Sequence, residues 1–138
     1  MSGALCTIGV WGPRARDMVQ SVCEADLGNG AFPYGSVVET LIDGIPVTMF
    51  RISYVGDLGW ELYVPIEQGA RLWDTLWEAG APHSLTACGI GVYGTTGRLE
   101  KCYRAYGAEL ESEYDVVEAG MAWGSVKEQD FVGREAHL

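Results

Sequence analysis

Positive charge is scarce in this sequence: nine Lys and Arg residues stand against nineteen Asp and Glu, for a formal net charge of −10. Such a field repels phosphate backbones and anionic lipid surfaces, which argues against nucleic-acid and membrane partners. It also disfavours an anionic small ligand unless a local cation receives it, and Arg51, Arg98, Lys101 and Arg104 are the candidates. No apolar run approaches the length of a membrane-spanning helix. The start, "MSGALCTIGVWG", lacks the basic segment and long apolar run of a secretory signal. A cytoplasmic location is the expectation. Metal-binding patterns are missing too. Cys6, Cys23, Cys88 and Cys102 form no C-x-x-C pair, and His83 and His137 have no His-x-x-His spacing or adjacent carboxylate cluster. Neither a zinc cluster, a dithiol redox motif nor another metal site is expected, and the thiols are read as reduced. Cys6 and Cys88 lie in apolar runs and read as small core hydrophobes.

What is present is enough apolar material for a core. With 48% hydrophobic residues in 138, residues 1–138 are expected to form a single domain. "ALCTIGVW" reads as a buried strand. "GPRARDMVQSVC" reads as a helix with Gly12 near its N-cap, Pro13 at the first helical position, and Met18, Val19 and Val22 at helical spacing. "LGNGAFPYG" is a loop. Asp43-Gly44 divides "SVVETLIDGIPVTMFRISY" into two strands, because both turn residues tolerate positive φ. "RISYVGDLGWELYVP" then reads as two strands around a glycine-marked turn, with Asp57, Trp60 and Glu61 beside the bend. Residues 66–79 form a helix whose Gly69, Leu72, Trp73, Leu76 and Trp77 share one face, with the tryptophans read as core and Gly80 as the stop. Residues 93–104 read as a further helix weakened by Gly94 and Gly97, glycines that point to a close approach. The tail mixes short apolar runs with polar turns. The fold class expected is α+β, a mostly antiparallel sheet with two to three helices packed on one face.

Taken on their own, the polar groups near the bend have ordinary readings. Glu61 is an exposed strand carboxylate or a ligand acceptor, and Tyr54 and Tyr103 are core tyrosines with tethered hydroxyls or stacking surfaces. Five blocks add to this: "WGPRARDMV", "ISYVGDLGWELYVP", "GRLEKCYRAYGAEL", "VEAGMAW" and "FVGREAHL". In order and spacing they resemble the glycine-cleavage T-protein (aminomethyltransferase) family, and more closely its branch joined to dimethylglycine and sarcosine dehydrogenases and related folate-dependent demethylases.

The resemblance implies tetrahydrofolate as cofactor and transfer of a one-carbon unit to its N5 from an amine or methyl donor. The chain would correspond to the middle α+β portion of that fold. The family's catalytic Asp is expected ahead of "TIGVWGP", and its C-terminal barrel beyond "FVGREAHL". Glu61 occupies the position whose carboxylate accepts from the pterin amino and ring N–H groups, a task suited to two acceptors in one plane. Tyr54 and Tyr103 match aromatic positions that line the folate pocket. Arg98, in "RLE", reads as scaffold paired with Glu100 or a buried carboxylate. Gly56 and Gly59 are expected at positive φ, and Asp57 is expected to be solvated. Gly94 falls near the position where glycine-cleavage T-proteins carry a folate-holding Arg, a departure that fits the demethylase branches better.

Two further readings stand beside this one. "EKCYRAYGAE" resembles the "K-G-C-Y-x-G-Q-E" signature of folate-binding relatives that assist iron-sulfur enzymes, with Cys102 as the working residue. Transferases often read "EKGYR" there, so Cys102 equally reads as a substituted glycine. Without the flanking parts, the chain would be a catalytically silent folate-binding or self-associating module, with apolar surface favouring a homo-oligomer.

Overall fold

The computed structural model describes residues 3–122 and 127–137. Trp123, which closes the "VEAGMAW" block, lies outside them, as does part of the tail. Four strands, β1 (Leu5–Trp11), β2 (Val37–Ile42), β3 (Ile45–Phe50) and β4 (Gly59–Pro65), form one antiparallel sheet in the order β1-β4-β3-β2. The β2–β3 hairpin closes at Asp43 and Gly44, whose φ values of 48° and 70° are the left-handed pair a two-residue turn requires. The expected α+β class, with an antiparallel sheet and helices packed against it, is the observed architecture.

Alternation along the strands separates two environments. Trp60, Leu62 and Val64 of β4, Val10 of β1, Ile45, Val47 and Met49 of β3, and Ile42 of β2 are buried in one cluster. Met18 and Val19 of α1 (Ala15–Gln20) and Leu72 and Leu76 of α2 (Gly69–Gly80) join that cluster, with Leu27 and Phe32 from the long loop. Burying each such side chain contributes roughly 1.5–3 kcal/mol. Trp60 is therefore core, fully buried beside Phe32 with the Arg16 guanidinium over its ring. The opposite face of β4 carries Glu61 and Tyr63. Among the described residues, no helix is long and apolar enough to cross a membrane.

Several local expectations are corrected. Helix α1 begins at Ala15 rather than Pro13: Gly12 sits at φ 136° and accepts from Ala15 N–H, so Pro13 and Arg14 complete a turn before the helix. The stretch at residues 51–65 holds one strand, β4, rather than two around a turn. Strand β3 ends at Phe50, and only three residue pairs join it to β4, because residues 51–58 leave the ladder as a loop. Gly56 turns that loop at φ 88°, as expected, whereas Gly59 is needed for space: a Cβ there would lie 2.0 Å from the Val10 carbonyl oxygen.

Helix α2 follows a short 3-10 turn, Ile66–Gln68, and ends where Gly80 meets Leu85. Its tryptophans are not core. Trp73 and Trp77 are 45% and 47% exposed and stack on each other, because the buried stripe of α2 is carried by Gly69, Leu72 and Leu76. The helix expected at residues 93–104 is shorter: a π-helical turn, Val92–Gly97, leads into α3 (Arg98–Glu100). Gly97 packs closely on Val55, but a Cβ at Gly94 would meet nothing within 4 Å. A last short helix, α4, spans Arg134–His137. Cys6 packs against the core, but Cys88 is exposed, contrary to its reading as a core hydrophobe; the core thiol is Cys23.

Replacing Gly59 by Ala is expected to lower stability by about 1–3 kcal/mol, the usual penalty of forced overpacking. Gly94→Ala should be neutral or better, since its site is open. Denaturant titration of both variants checks this, and equal midpoints would contradict it.

Candidate functional site

The pairing of β4 with β1 sets Glu61 opposite Gly9, and its pairing with β3 sets Glu61 opposite Phe50. Glycine at position 9 leaves the space above the carboxylate to the Trp11 ring, which a Cβ would strike at 2.0 Å. Glu61 is only 9% exposed. It accepts a hydrogen bond from the Tyr63 hydroxyl at 2.7 Å on one oxygen and a longer one from Tyr93 at 3.4 Å on the other. Among the described residues no cation pairs with it. A cleft of 780 Å³ runs around the β1 edge from Glu61, Tyr63 and Tyr93 to Trp73 and Trp77, bounded by residues 85–93. Among the described residues, Glu61 is the one charged side chain in its lining.

The expected aromatic positions are joined to this carboxylate indirectly. Tyr93 packs on Trp11 (centroids 5.4 Å apart) and on Tyr54 (5.0 Å), and Tyr54 stacks nearly parallel on Tyr103 at 5.8 Å. Tyr54 thus backs Tyr93 rather than lining the cleft, and its hydroxyl donates to the Arg104 carbonyl. Tyr103 faces a second, smaller pocket. Asp57 is exposed there, as expected. The structure brings Glu61 and Tyr54 together through Tyr93, and Tyr103 stands one ring further away.

Arg98 is scaffold, but its partner is Glu109 rather than Glu100. The buried guanidinium donates to Glu109 at 2.6 Å, to the Gly94 carbonyl at 2.8 Å and to the Tyr103 carbonyl at 3.2 Å. It thereby clamps the π-helical turn, the Tyr103 backbone and the following loop together. The Ala105 N–H and Arg98 hold the Glu109 carboxyl below its ordinary pKa. Arg104 is likewise spent on carbonyls, those of Cys102, Ala119 and Gly120.

Two members of the site escaped the sequence reading. Tyr63 was legible in principle, being two residues from Glu61 and so on the same side of the strand. Tyr93 lies 32 residues away from Glu61, and no local pattern marks it.

The Glu61 carboxylate reshapes both phenols. Its hydrogen bond, burial and negative charge push Tyr63 from 10.0 up to about 12. Burial, with the Glu61 charge next, raises Tyr93. Because the folded state favours the neutral Tyr63 phenol, the stability this contributes is complete below pH 10.0 and is lost as pH rises through about 12. In an alkaline titration followed by tyrosinate absorbance, Glu61→Gln should bring one phenol back toward pH 10.0; identical curves would contradict the coupling.

Cys102 is exposed and holds φ 61°, a conformation glycine adopts freely and a side chain resists. Its backbone N–H bonds the Leu99 carbonyl as the chain turns out of α3. Cys102→Gly is therefore expected to raise stability by roughly 0.5–1 kcal/mol, the relief of left-handed strain less the added unfolded-state entropy. Thermal unfolding of the variant measures this, and a lower melting temperature would contradict it.

Comparison with known proteins places the chain in a family. The GCVT N-terminal domain family matches residues 1–128. Mouse mitochondrial dimethylglycine dehydrogenase is 39% identical over 135 residues, covering 94% of this chain and 15% of that protein. An aminomethyltransferase of Bacillus cereus (strain B4264) is 35% identical over 136 residues, covering 97% of this chain and 37% of that enzyme. The chain thus spans well under half the length of these relatives. In fold it is similar to heterotetrameric sarcosine oxidase from Corynebacterium sp. U-96, solved with pyrrole 2-carboxylate. That match has a TM-score of 0.55 and 22% identity, and covers 64% of this chain and 44% of that one. By sequence, this chain belongs to the GCVT N-terminal domain family of T-proteins.

Proposed function

We propose that this chain is the tetrahydrofolate-binding portion of a one-carbon transferase, aminomethyltransferase or demethylase in type, and that Glu61 is its anchor for the pterin. The observation that carries the reading is a nearly buried carboxylate, held by two phenols, in an aromatic-rich cleft whose other lining residues, among those described, are uncharged. Burying a carboxylate without a cation is unfavourable unless donors surround it. The Tyr63 and Tyr93 hydroxyls provide one donor to each oxygen and leave acceptor capacity toward the cleft. A flat ring with an amino group beside a ring N–H supplies the missing donors in one plane. The residues present therefore fit a reduced folate.

When bound, a reduced folate supplies the nitrogen that accepts the one-carbon unit. The chain's own residues orient it. Glu61 fixes the ring by paired charge-assisted hydrogen bonds, while Tyr63 and Tyr93 keep the carboxylate from rotating. Tyr93, braced by Trp11 and Tyr54, offers an aromatic wall. Orientation of this kind is a large part of what a transferase contributes, because holding donor and acceptor in place removes the entropy of bringing them together. The amine or methyl donor, and any oxidoreductase partner, belong to the whole protein of which the longer relatives are examples.

Calorimetric titration with 5-formyl-tetrahydrofolate tests the reading. Saturable binding is expected, weakened by about 1.5–3 kcal/mol in Glu61→Gln, the worth of a hydrogen bond to a charged group. Equal affinity in the two proteins would remove Glu61 from the site, and no binding to the native chain would remove the folate reading itself.

A further inference from the structure

A second pocket, of 360 Å³, shares no lining residue with the Glu61 cleft. It is formed where the loop at residues 51–58 meets the chain leaving α3, and Arg51, Lys101 and Asp57 line it with Ser53, Tyr34 and Tyr103. In a chain of net charge −10, two cations on one small pocket stand out. Neither has a carboxylate within ion-pairing distance among the described residues. Arg51 is fixed by donating to the Phe32 carbonyl and to Asn29 Oδ1, the latter at 2.7 Å, and the same Asn29 oxygen receives Arg16 at 2.6 Å. Two guanidinium groups thus converge on one neutral amide. Burial, and then the Arg16 charge, pull the Arg51 pKa down, so an anion would relieve that cation. The aliphatic stem of Lys101 lies over Gly56, which has no side chain to obstruct it: a Cβ there would strike Lys101 Cδ at 2.6 Å.

Ser53 supplies an independent sign. It is 7% exposed, and its hydroxyl oxygen has no hydrogen-bond partner among the described residues. A buried hydroxyl without a partner costs roughly 1–3 kcal/mol, so a polar partner brought into this pocket would offset that cost. The exposed Asp57 carboxylate on the same pocket sets the charge requirement. It would repel a polyanion such as phosphate but would attract an ammonium carried by the same molecule.

We propose that this pocket binds a small zwitterion of the α-amino-acid type. Its carboxylate lies between Arg51 and Lys101, its ammonium faces Asp57, and its apolar part rests against Tyr34 and Tyr103. The Arg51 fork has N–H groups left after its bonds to Phe32 and Asn29, and they suit a carboxylate. Tyr103 links the pocket physically to Tyr54 and, through Tyr93, to Glu61.

The test is nuclear magnetic resonance titration of the isotopically labelled chain with L-alanine, compared with N-acetyl-L-alanine, which keeps the carboxylate but lacks the ammonium. Saturable shifts of the Ser53, Gly56 and Lys101 backbone N–H signals are expected with L-alanine, and weaker binding of the acetylated compound. Lys101→Gln should raise the dissociation constant about tenfold, as loss of one charge-assisted bond does. That side chain is exposed and makes no hydrogen bond among the described residues, so the variant should remain folded. Arg51→Gln is the less clean variant because Arg51 also holds the long loop. Absence of saturable shifts with L-alanine, or undiminished affinity in Lys101→Gln, would overturn the proposal. Equal affinity for the acetylated compound would overturn the role given to Asp57 and with it the zwitterion.

Discussion

The two-residue alternation of β4 governs the molecule. Strand β4 lies between β1 and β3, paired along its whole length with the first and at Glu61, Leu62 and Tyr63 with the second, so its side chains have only two directions to take. Trp60, Leu62 and Val64 go to the helix-covered core, so Glu61 and Tyr63 must share the other side. A slip of one residue in this register would bury Glu61 among Met18, Phe32 and Leu72 and expose the tryptophan. The apolar residues thus fix the direction in which the carboxylate points, and the energy that holds Glu61 in place comes largely from its neighbours in sequence rather than from its own bonds.

Once Glu61 faces that way, the remaining chain has to manage a buried charge. It does so with neutral donors. A cation would have neutralised Glu61 and left little acceptor capacity, whereas the phenols of Tyr63 and Tyr93 share the charge without consuming it. Tyr93 reaches the carboxylate only because the π-helical turn at Val92–Gly97 presents it there. That turn is held by Arg98, whose own buried charge is matched by Glu109 and two carbonyls. One ion pair, between buried Arg98 and half-exposed Glu109, therefore braces the segment that supplies the second donor. The aromatic series Trp11, Tyr93, Tyr54 and Tyr103 fills the space between the two, giving a stiff wall rather than a set of independent rings.

The loop at residues 51–58 has a double role in this arrangement. Its departure from the ladder after Phe50 leaves Tyr54 free to reach Tyr93 and Tyr103, and sets Arg51, Ser53 and Asp57 around the smaller pocket. A tight hairpin at the same place would have kept Tyr54 in the strand and paired its backbone with β4. The departure from ordinary hairpin chemistry is thus what gives the end of the sheet its polar and aromatic groups.

How much of this could be read beforehand follows from the range of the interactions. The Asp43-Gly44 turn, the buried stripe of α2 at Leu72 and Leu76, and the alternation about Trp60, Glu61 and Leu62 are set by residues close in the chain, and the sequence by itself determined them. The motif blocks around Glu61 likewise carried the family. Only tertiary structure decided that Trp73 and Trp77 stack at a cleft instead of entering the core, since a helical stripe says which residues align but not how wide a face is covered. Tertiary structure also paired Arg98 with Glu109, brought Tyr93 to Glu61, and turned Tyr103 toward Arg51 and Lys101. Glu61 and Tyr93 are 32 residues apart and Arg98 and Glu109 are 11 apart with no regular element joining them, so these partners are chosen by packing of the whole fold, which leaves no periodic mark in the sequence.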